Sequence, residues 1–150
     1  MKKKNGIKYF RQTTSYSCGP ACLRMILSSF GKNIDENKLI DLCGTTLFGT
    51  TCNQIRDVAT NLGYQSKSFK ELEESNITNF MNESVPLIAL IEPSELYGGM
   101  PSGHFVVVLA IEEEVIIYHD PIMGKNLSTD INTFLNAWHK FKFRGVKIWK

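Results

Sequence analysis

The sequence has few features of a membrane protein, a nucleic-acid-binding protein or an exported protein. Its 150 residues carry a formal net charge of only +2, which is too small to favour nucleic-acid binding. The one basic run, residues 2–4, lies at the N-terminus, where we expect residues 1–6 to form a flexible tail. No apolar run reaches the roughly 18 residues of a membrane span, and none follows the basic start as in a secretory signal. We therefore expect neither a nucleic-acid partner nor a membrane span.

Cysteine and histidine are also scarce. The chain has four cysteines and three histidines, and none of the histidines has the spacing from close cysteine pairs that a structural zinc site needs. Four cysteines permit three pairings into disulfides, and their number alone does not choose among them. Without an export signal, reduced thiols in the cytoplasm are the simpler interpretation. We therefore expect a cytoplasmic protein with no metal and no cofactor.

The stretch that begins at Gln12 has the layout of a cysteine nucleophile. Cys18 follows a short polar loop and precedes Gly19 and Pro20, and proline fits the first turn of a helix, where its missing N–H has no intrahelical partner. The unpaired N–H groups and the positive end of the helix dipole at such a junction favour thiolate over thiol. The Gln12 amide lies one short loop upstream and can donate a hydrogen bond toward whatever the sulfur attacks.

A structural interpretation of Cys18 has to be weighed against this one. A lone cysteine at the start of a helix is more often a buried packing residue than a nucleophile. Finding glutamine, a polar loop, Cys-Gly-Pro and an apolar helix together favours catalysis instead. That interpretation also requires a base from elsewhere in the chain.

Helix start and stop signals dominate the first half of the chain, and β-branched apolar runs dominate the second. Asp35 and Thr51 are good N-caps, and glycines close the predicted helices. The expected helices lie at residues 20–30, 36–42, 52–62 and 76–81, with a last one from 129 or 130 to 138. The expected strands lie at residues 64–69, 86–91, 104–111, 115–118 and 146–149, and residues 7–10 form a short edge strand or an extended arm.

This order of elements predicts an α+β fold in a single domain over residues 1–150, with N-terminal helices packed on an antiparallel β-sheet. The fully apolar strand at residues 104–111 belongs in the centre of that sheet. Residues 92–103, which contain three glycines and two prolines, form a loop before it.

His104 and Asp120 are the candidates for a base and its orienting partner. His104 opens the central strand just after the glycine-rich loop, and the rest of that strand has no polar side chain before Glu112. In a hairpin that turns at residues 112–114, positions 104 and 120 become cross-strand neighbours. An aspartate beside a histidine fixes its tautomer and stabilises the imidazolium. The alternatives are a surface or core histidine and an ordinary Asp-Pro turn, and we give His119 and His139 such structural interpretations.

Taken together, these motifs resemble peptidase family C39, which consists of papain-like cysteine peptidases. The matching parts are Gln12, residues 18–22, residues 49–51, residues 104–108 and residues 120–124, in the family's order. The resemblance implies Cys18 as nucleophile, His104 as base, Asp120 as orienting residue and Gln12 as oxyanion donor. We also expect Gly19, Thr51 and Gly103 to contact the substrate.

Many members of this family are N-terminal domains of bacteriocin-exporting ABC transporters, so the resemblance implies a leader peptide as substrate and a transporter as a partner. Two departures stand out. Ser17 occupies the position of a usual acidic residue before the nucleophile, and the connection at residues 92–103 is longer than in transporter-type members. That connection contains Gly98-Gly99, like the end of a leader peptide, although we favour the interpretation of a mobile lid.

Three functions of different classes remain open at the level of sequence. The first is a peptidase that cleaves a leader after a Gly-Gly-type site. The second is another acyl transfer on the same three residues, such as amide hydrolysis or peptide ligation, because a fold does not choose among these reactions. The third is a domain that binds a leader peptide without cutting it, and the presence of Cys18, His104 and Asp120 together argues against it.

Overall fold

The computed structural model describes residues 6–150, so the expected tail at residues 1–6 lies outside the described residues except for Gly6. Within the described residues, six α-helices, one 3-10 helix (Glu74–Asn76) and six strands follow one another. The helices are α1 (Cys18–Ser29), α2 (Glu36–Cys43), α3 (Cys52–Asn61), α4 (Ile77–Ser84), α5 (Ser94–Tyr97) and α6 (Ile131–His139). The strands are β1 (Gln65–Phe69), β2 (Leu87–Ile91), β3 (His104–Glu112), β4 (Val115–Asp120), β5 (Gly124–Asp130) and β6 (Gly145–Trp149).

The six strands form one antiparallel sheet in the order β1-β6-β2-β3-β4-β5. β3 lies inside the sheet between β2 and β4, and its first seven residues are buried. The prediction of a central apolar strand that begins at His104 is therefore confirmed. Because the backbone of β3 is paired on both sides, the side chain at its first position is held in a fixed place.

Two layers of helices cover the two faces of this sheet. Alternation along β3 sends Phe105, Val107 and Leu109 into one core with α1, α2 and α3. Val106 and Val108 point the other way, into a second core with α4 and α6. The mixed helix and antiparallel-sheet architecture predicted from the order of elements is confirmed.

Local signals in the sequence set the ends of most helices. The Asp35 carboxylate accepts the Lys38 N–H at 2.9 Å, and Gly44 ends the same helix at φ 65° in the left-handed region. The Thr51 and Gln54 side chains cap α3 reciprocally at 3.1 and 2.9 Å. Asp130, one of two residues predicted to begin the last helix, caps α6.

Three parts of the chain differ from the sequence-based prediction. Residues 124–130 form an edge strand, β5, where no strand was expected, and residues 94–97 form a short helix, α5, inside the expected loop. The third difference is that α1 begins at Cys18 rather than at Pro20. Residues 7–10 form the extended arm that was one of their two predicted alternatives. Within residues 6–150, no helix has both the length and the apolar character needed to cross a bilayer.

Candidate active site

The predicted nucleophile, base and orienting residue line one cleft of about 230 Å³. This cleft lies where the first turn of α1 meets the first residue of β3 and the last residue of β4, which supply Cys18, His104 and Asp120. Gly103, predicted to contact substrate, also lines it. The remaining lining residues are Ser15, Pro93, Tyr97, Ser102, Ile122 and Met123.

Cys18 is the first residue of α1, and its thiol sits directly beside the central strand. The Phe105 N–H donates to its sulfur at 3.5 Å, so the backbone of β3 helps to hold the side chain in place. Ser17, at the position where the family usually has an acidic residue, is fully buried. Its hydroxyl oxygen lies 2.7 Å from the Thr14 hydroxyl, a contact that fixes the loop before Cys18.

His104 connects Cys18 to Asp120. Its Nε2 lies 2.6 Å from Oδ1 of Asp120, which leaves Nδ1 as the nitrogen available to the Cys18 sulfur. Burial of the imidazole alone would lower its pKa, but hydrogen bonds to Asp120 and Cys18 raise the pKa to about 9. His104 is 6% exposed and Asp120 is fully buried, so water competes little for these contacts.

The register of the β3–β4 hairpin sets how His104 and Asp120 face each other. Val107 is paired with His119, so Asp120 lies diagonally across from His104 rather than directly opposite it. Diagonal positions share a face of the sheet and are within reach of long side chains. The two predicted partners therefore meet as diagonal neighbours across the two strands.

Asp120 has more hydrogen-bond donors than sequence reasoning anticipated. Besides His104, its Oδ1 accepts the N–H groups of Ile122 at 2.9 Å and Met123 at 3.2 Å. Its Oδ2 accepts the Tyr97 hydroxyl at 2.8 Å. Burial raises the pKa of this carboxyl, but the hydrogen bond and charge of His104 and the other donors lower it below its ordinary value.

Tyr97 was missed by sequence reasoning, although it lies beside two glycines in the stretch already singled out as a lid. It belongs to α5, lines the cleft and also lies 2.8 Å from the Tyr118 hydroxyl. No local pattern could have indicated a contact between residues 97 and 120. The glycines and prolines of the loop indicated mobility, so Tyr97 was not considered as a residue of the site.

Gln12 lies in the N-terminal arm, next to the turn that follows Asp120. Its backbone N–H donates to the Pro121 carbonyl at 2.9 Å, and its side-chain amide donates to the Thr14 carbonyl at 2.7 Å. Its Oε1 is buried and has no hydrogen-bond partner among residues 6–150. Because an amide nitrogen carries two hydrogens, the Gln12 side chain keeps one donor for a ligand.

Two of the predicted substrate contacts lie outside the cleft. A Cβ at Gly19 would lie 3.1 Å from Cβ of Thr50 and 3.3 Å from Cδ1 of Ile55, so the glycine lets α1 approach that loop and α3. Thr51 is exposed and caps α3. Both positions have a packing or capping explanation that requires no substrate.

The cysteines and histidines other than Cys18 and His104 do not line the cleft. All four cysteines are free. His119 is buried, with its ring nitrogens 2.9 Å from the Ile7 carbonyl oxygen and 3.0 Å from the Asn126 nitrogen, so its structural interpretation fits. Within residues 6–150, no group of three or more histidine, cysteine or acidic side chains is placed to hold a metal ion.

The match to a known protein family includes the residues that form this site. The Peptidase C39 family profile matches residues 6–142, which is most of the chain. The chain belongs to the peptidase C39 family. One curated relative of this C39 domain is the lactococcin-G-processing and transport ATP-binding protein LagD of Lactococcus lactis subsp. lactis. The two are 33% identical over 131 residues, which cover 87% of this chain but 18% of LagD. The C39 domain thus spans less than a fifth of that relative.

Solved structures show the same fold. The peptidase domain of Streptococcus ComA, described as a bi-functional ABC transporter, matches with a TM-score of 0.81 and 23% identity over 95% of this chain and 98% of that domain. A double glycine motif protease from an AMS/PCAT transporter, solved with its leader peptide, matches with a TM-score of 0.78 and 18% identity over 99% and 95% of the two chains. The family predicted from the sequence motifs is therefore confirmed.

Proposed function

We propose that this C39 domain is a cysteine peptidase in which Cys18 is the nucleophile, His104 the base and Asp120 the residue that orients the base. The observation that carries the proposal is the position of His104, which is hydrogen-bonded to Asp120 at 2.6 Å and lines the same cleft as Cys18. A nucleophile, a base within its reach and a third group that orients the base are the requirements of covalent acyl transfer.

The chemistry follows from this arrangement. Nδ1 of His104 takes the Cys18 proton, and the thiolate attacks the carbonyl carbon of the scissile peptide bond. When the tetrahedral intermediate collapses, the leaving amine takes that proton from the imidazolium, and a thioester with Cys18 remains. Water, activated by His104, then hydrolyses the thioester and releases the free thiol.

The charge that develops on the carbonyl oxygen needs hydrogen-bond donors. We propose the free hydrogen of the Gln12 amide and the first N–H groups of α1 for this role, because those N–H groups have no intrahelical acceptor. The arm supports this assignment, since Gln12 is tied through its own N–H to the turn that carries Asp120.

The proposed substrate is a leader peptide cleaved after a Gly-Gly-type site. The cleft beside Cys18 is narrow, and its walls include the bulky side chains of Tyr97, Ile122 and Met123. Residues without side chains would fit best before the scissile bond. The names of the relatives agree, since one is a lactococcin-G-processing protein and another is a double glycine motif protease. On the same grounds we propose an ABC transporter as partner and action in the cytoplasm.

Incubation with a synthetic peptide tests the proposal. The peptide carries a hydrophobic leader end, Gly-Gly and a short cargo sequence, and its matched control carries Ala-Ala instead of Gly-Gly. We expect cleavage after Gly-Gly, measured by mass spectrometry, with little cleavage of the control and none by Cys18→Ala. Equal cleavage of both peptides would contradict the specificity.

The same assay separates the alternative functions. A new amide between leader and an added amine would indicate peptide ligation rather than hydrolysis. Tight binding of the leader by wild-type protein, with no cleavage and no reaction of Cys18 toward an electrophile, would indicate a binding domain and overturn the proposal of an enzyme.

A further inference from the structure

Residues 92–103, the 92–103 segment, form a closed loop rather than an open connection. The Glu92 carboxylate accepts the Ser94 hydroxyl at 2.7 Å at one end of the segment and the Ser102 N–H at 3.1 Å at the other. Glu92 is only 8% exposed, and its N–H donates to the Ala137 carbonyl of α6 at 2.9 Å. The two ends of the segment are therefore tied together and fixed to the second core.

The closed segment places one side chain on the candidate catalytic residues. The Tyr97 hydroxyl lies 2.8 Å from Oδ2 of Asp120 and 2.8 Å from the Tyr118 hydroxyl. An ionised carboxylate only accepts hydrogen bonds, so Tyr97 donates to Asp120. A hydroxyl has a single hydrogen, so Tyr118 donates to Tyr97, and the chain of hydrogen bonds ends on the carboxylate.

The two carboxylate oxygens of Asp120 have different partners. Oδ1 is occupied by His104 and by backbone N–H groups of the following turn. In the described part of the chain, Tyr97 is the hydrogen-bond donor of Oδ2. Without that donor the carboxylate is held through Oδ1 alone, and Tyr97 is 37% exposed, so water can reach Oδ2 from the cleft. A less firmly held and more solvated carboxylate makes a weaker hydrogen bond to His104.

We propose that Tyr97 is a positioning residue of this site, which holds Asp120 against His104 and makes the reactive Cys18–His104 pair depend on the closed 92–103 segment. This inference rests on the proposed function. It extends the arrangement of nucleophile, base and orienting residue by a fourth member, which comes from a segment outside the sheet. The reactive pair then forms fully when the segment is closed over the cleft.

The reactivity of Cys18 toward iodoacetate as a function of pH provides the test. This anionic reagent reacts fastest with a thiolate beside an imidazolium, so its rate is bell-shaped in pH and reports the charged pair without a peptide substrate. His119, next to Asp120 in the chain, lies 2.9 Å from the Ile7 carbonyl oxygen, and burial lowers its pKa below the ordinary 6.5. It is the same in every variant compared. The remaining titratable groups around Asp120 are tyrosines and a buried thiol, all with raised pKa values, and none of them produces a limb near neutral pH. They are Tyr9, Cys22, Tyr97 and Tyr118.

Tyr97→Phe removes the hydroxyl and keeps the ring, and Tyr118→Phe is the matched control because it leaves the Tyr97–Asp120 hydrogen bond in place. For Tyr97→Phe we expect the pH profile of the alkylation rate to narrow, with each limb shifted inward by about half a pH unit. We expect the maximum rate to fall about 10-fold. For the control we expect changes of less than about 2-fold. A purely structural role would lower the melting temperature or the fraction of active protein and leave both limbs in place.

Glu92→Gln provides a second variant, which loosens the closed segment without touching Asp120 or Tyr97. We expect it to narrow the bell in the same direction and to a smaller extent. Unchanged limbs in a folded Tyr97→Phe protein would overturn the inference while leaving the proposed function intact. A wild-type protein without a bell-shaped profile would instead contradict the proposed function itself.

Discussion

Nε2 of His104 lies 2.6 Å from Oδ1 of Asp120, and the contact is almost fully removed from solvent. The contact contributes stability that is lost at high pH through His104 and at low pH through Asp120. The pKa of folded His104, about 9, is above its ordinary value of 6.5, whereas the pKa of Asp120 is lowered. The contribution of His104 is fully present below about pH 6.5 and is lost as the pH rises through about 9. The contribution of Asp120 is lost as the pH falls below its ordinary pKa.

We therefore expect the free energy of unfolding to decrease between about pH 6.5 and pH 9.5. Urea denaturation at these two pH values measures the decrease. His104→Gln is the control, because its neutral amide still donates to Asp120 but does not titrate. A wild-type decrease no larger than that of the control would show that the imidazolium is not stabilised in the folded state.

Substitution of the proposed base and of its proposed orienting partner should have unequal effects on turnover. We expect His104→Ala to lower kcat/KM for a double-glycine peptide by about 10³-fold or more, because proton transfer is lost. Asp120→Asn should cost less, about 10–100-fold, because the amide oxygen still accepts from His104. Cys18→Ala sets the baseline of the assay. Equal losses for both variants would mean that Asp120 does more than orient the ring.

The four free cysteines should differ widely in their reactivity. Cys18 lines the cleft, whereas Cys22 and Cys43 are buried, and burial raises the pKa of Cys43 to about 12. Cys52 is half-buried, and its pKa is raised to about 11 by burial. Iodoacetamide at neutral pH should alkylate Cys18 first, as followed by peptide mass spectrometry. Comparable labelling of another cysteine in the folded protein would remove the distinction, and labelling in urea serves as the control for accessibility.

Gln12 offers a way to separate oxyanion stabilisation from activation of the thiol. Gln12→Ala should lower peptide turnover by about 10²–10³-fold, because one donor to the developing oxyanion is lost. Alkylation of Cys18 by iodoacetamide forms no oxyanion, so its rate should stay close to that of the wild type. A parallel loss of both rates would indicate that Gln12 acts by holding the arm and the loop before Cys18.

Gly19 is predicted to matter for packing, and Gly19→Ala tests this. The added Cβ would lie 3.1 Å from Cβ of Thr50, which requires a shift of the loop or of α1. We expect a loss of about 1–2 kcal/mol in the free energy of unfolding, measured by urea denaturation. Gly6→Ala is the matched control, since no atom lies within 4 Å of a Cβ there. A fully stable Gly19→Ala protein with a raised KM would instead support the substrate contact predicted from the sequence.

The parts of the fold that local chemistry determines were predictable. Asp35, Thr51 and Asp130 cap their helices as expected, because a side-chain oxygen before an amphipathic stretch is a signal read over four residues. The strand that begins at His104 was predictable because an unbroken apolar run of this length is typical of a buried strand. Three of the residues that line the cleft, Cys18, His104 and Asp120, each stand at such a signal.

The missed parts depend on contacts between distant residues. β5 alternates weakly, since it is an edge strand with only partly buried positions and polar side chains. α5 has four residues and lies between a proline and two glycines, where no periodicity can develop. Tyr97 was hidden for the same reason. Its role follows from the closure of a loop by Glu92, and closure of that kind is a property of the folded chain.

The N-terminal arm has a consequence for how the protein is made. The Tyr9 hydroxyl donates to the Asp120 carbonyl at 2.7 Å across 111 residues of sequence, and Phe105 meets the Cys18 sulfur across 87 residues. Contacts so distant along the chain form late, because the loop between them must first be ordered. During synthesis, Cys18 emerges from the ribosome long before His104 and Asp120. The nascent chain therefore carries an ordinary thiol, and its reactivity arises only when nearly the whole domain has been translated.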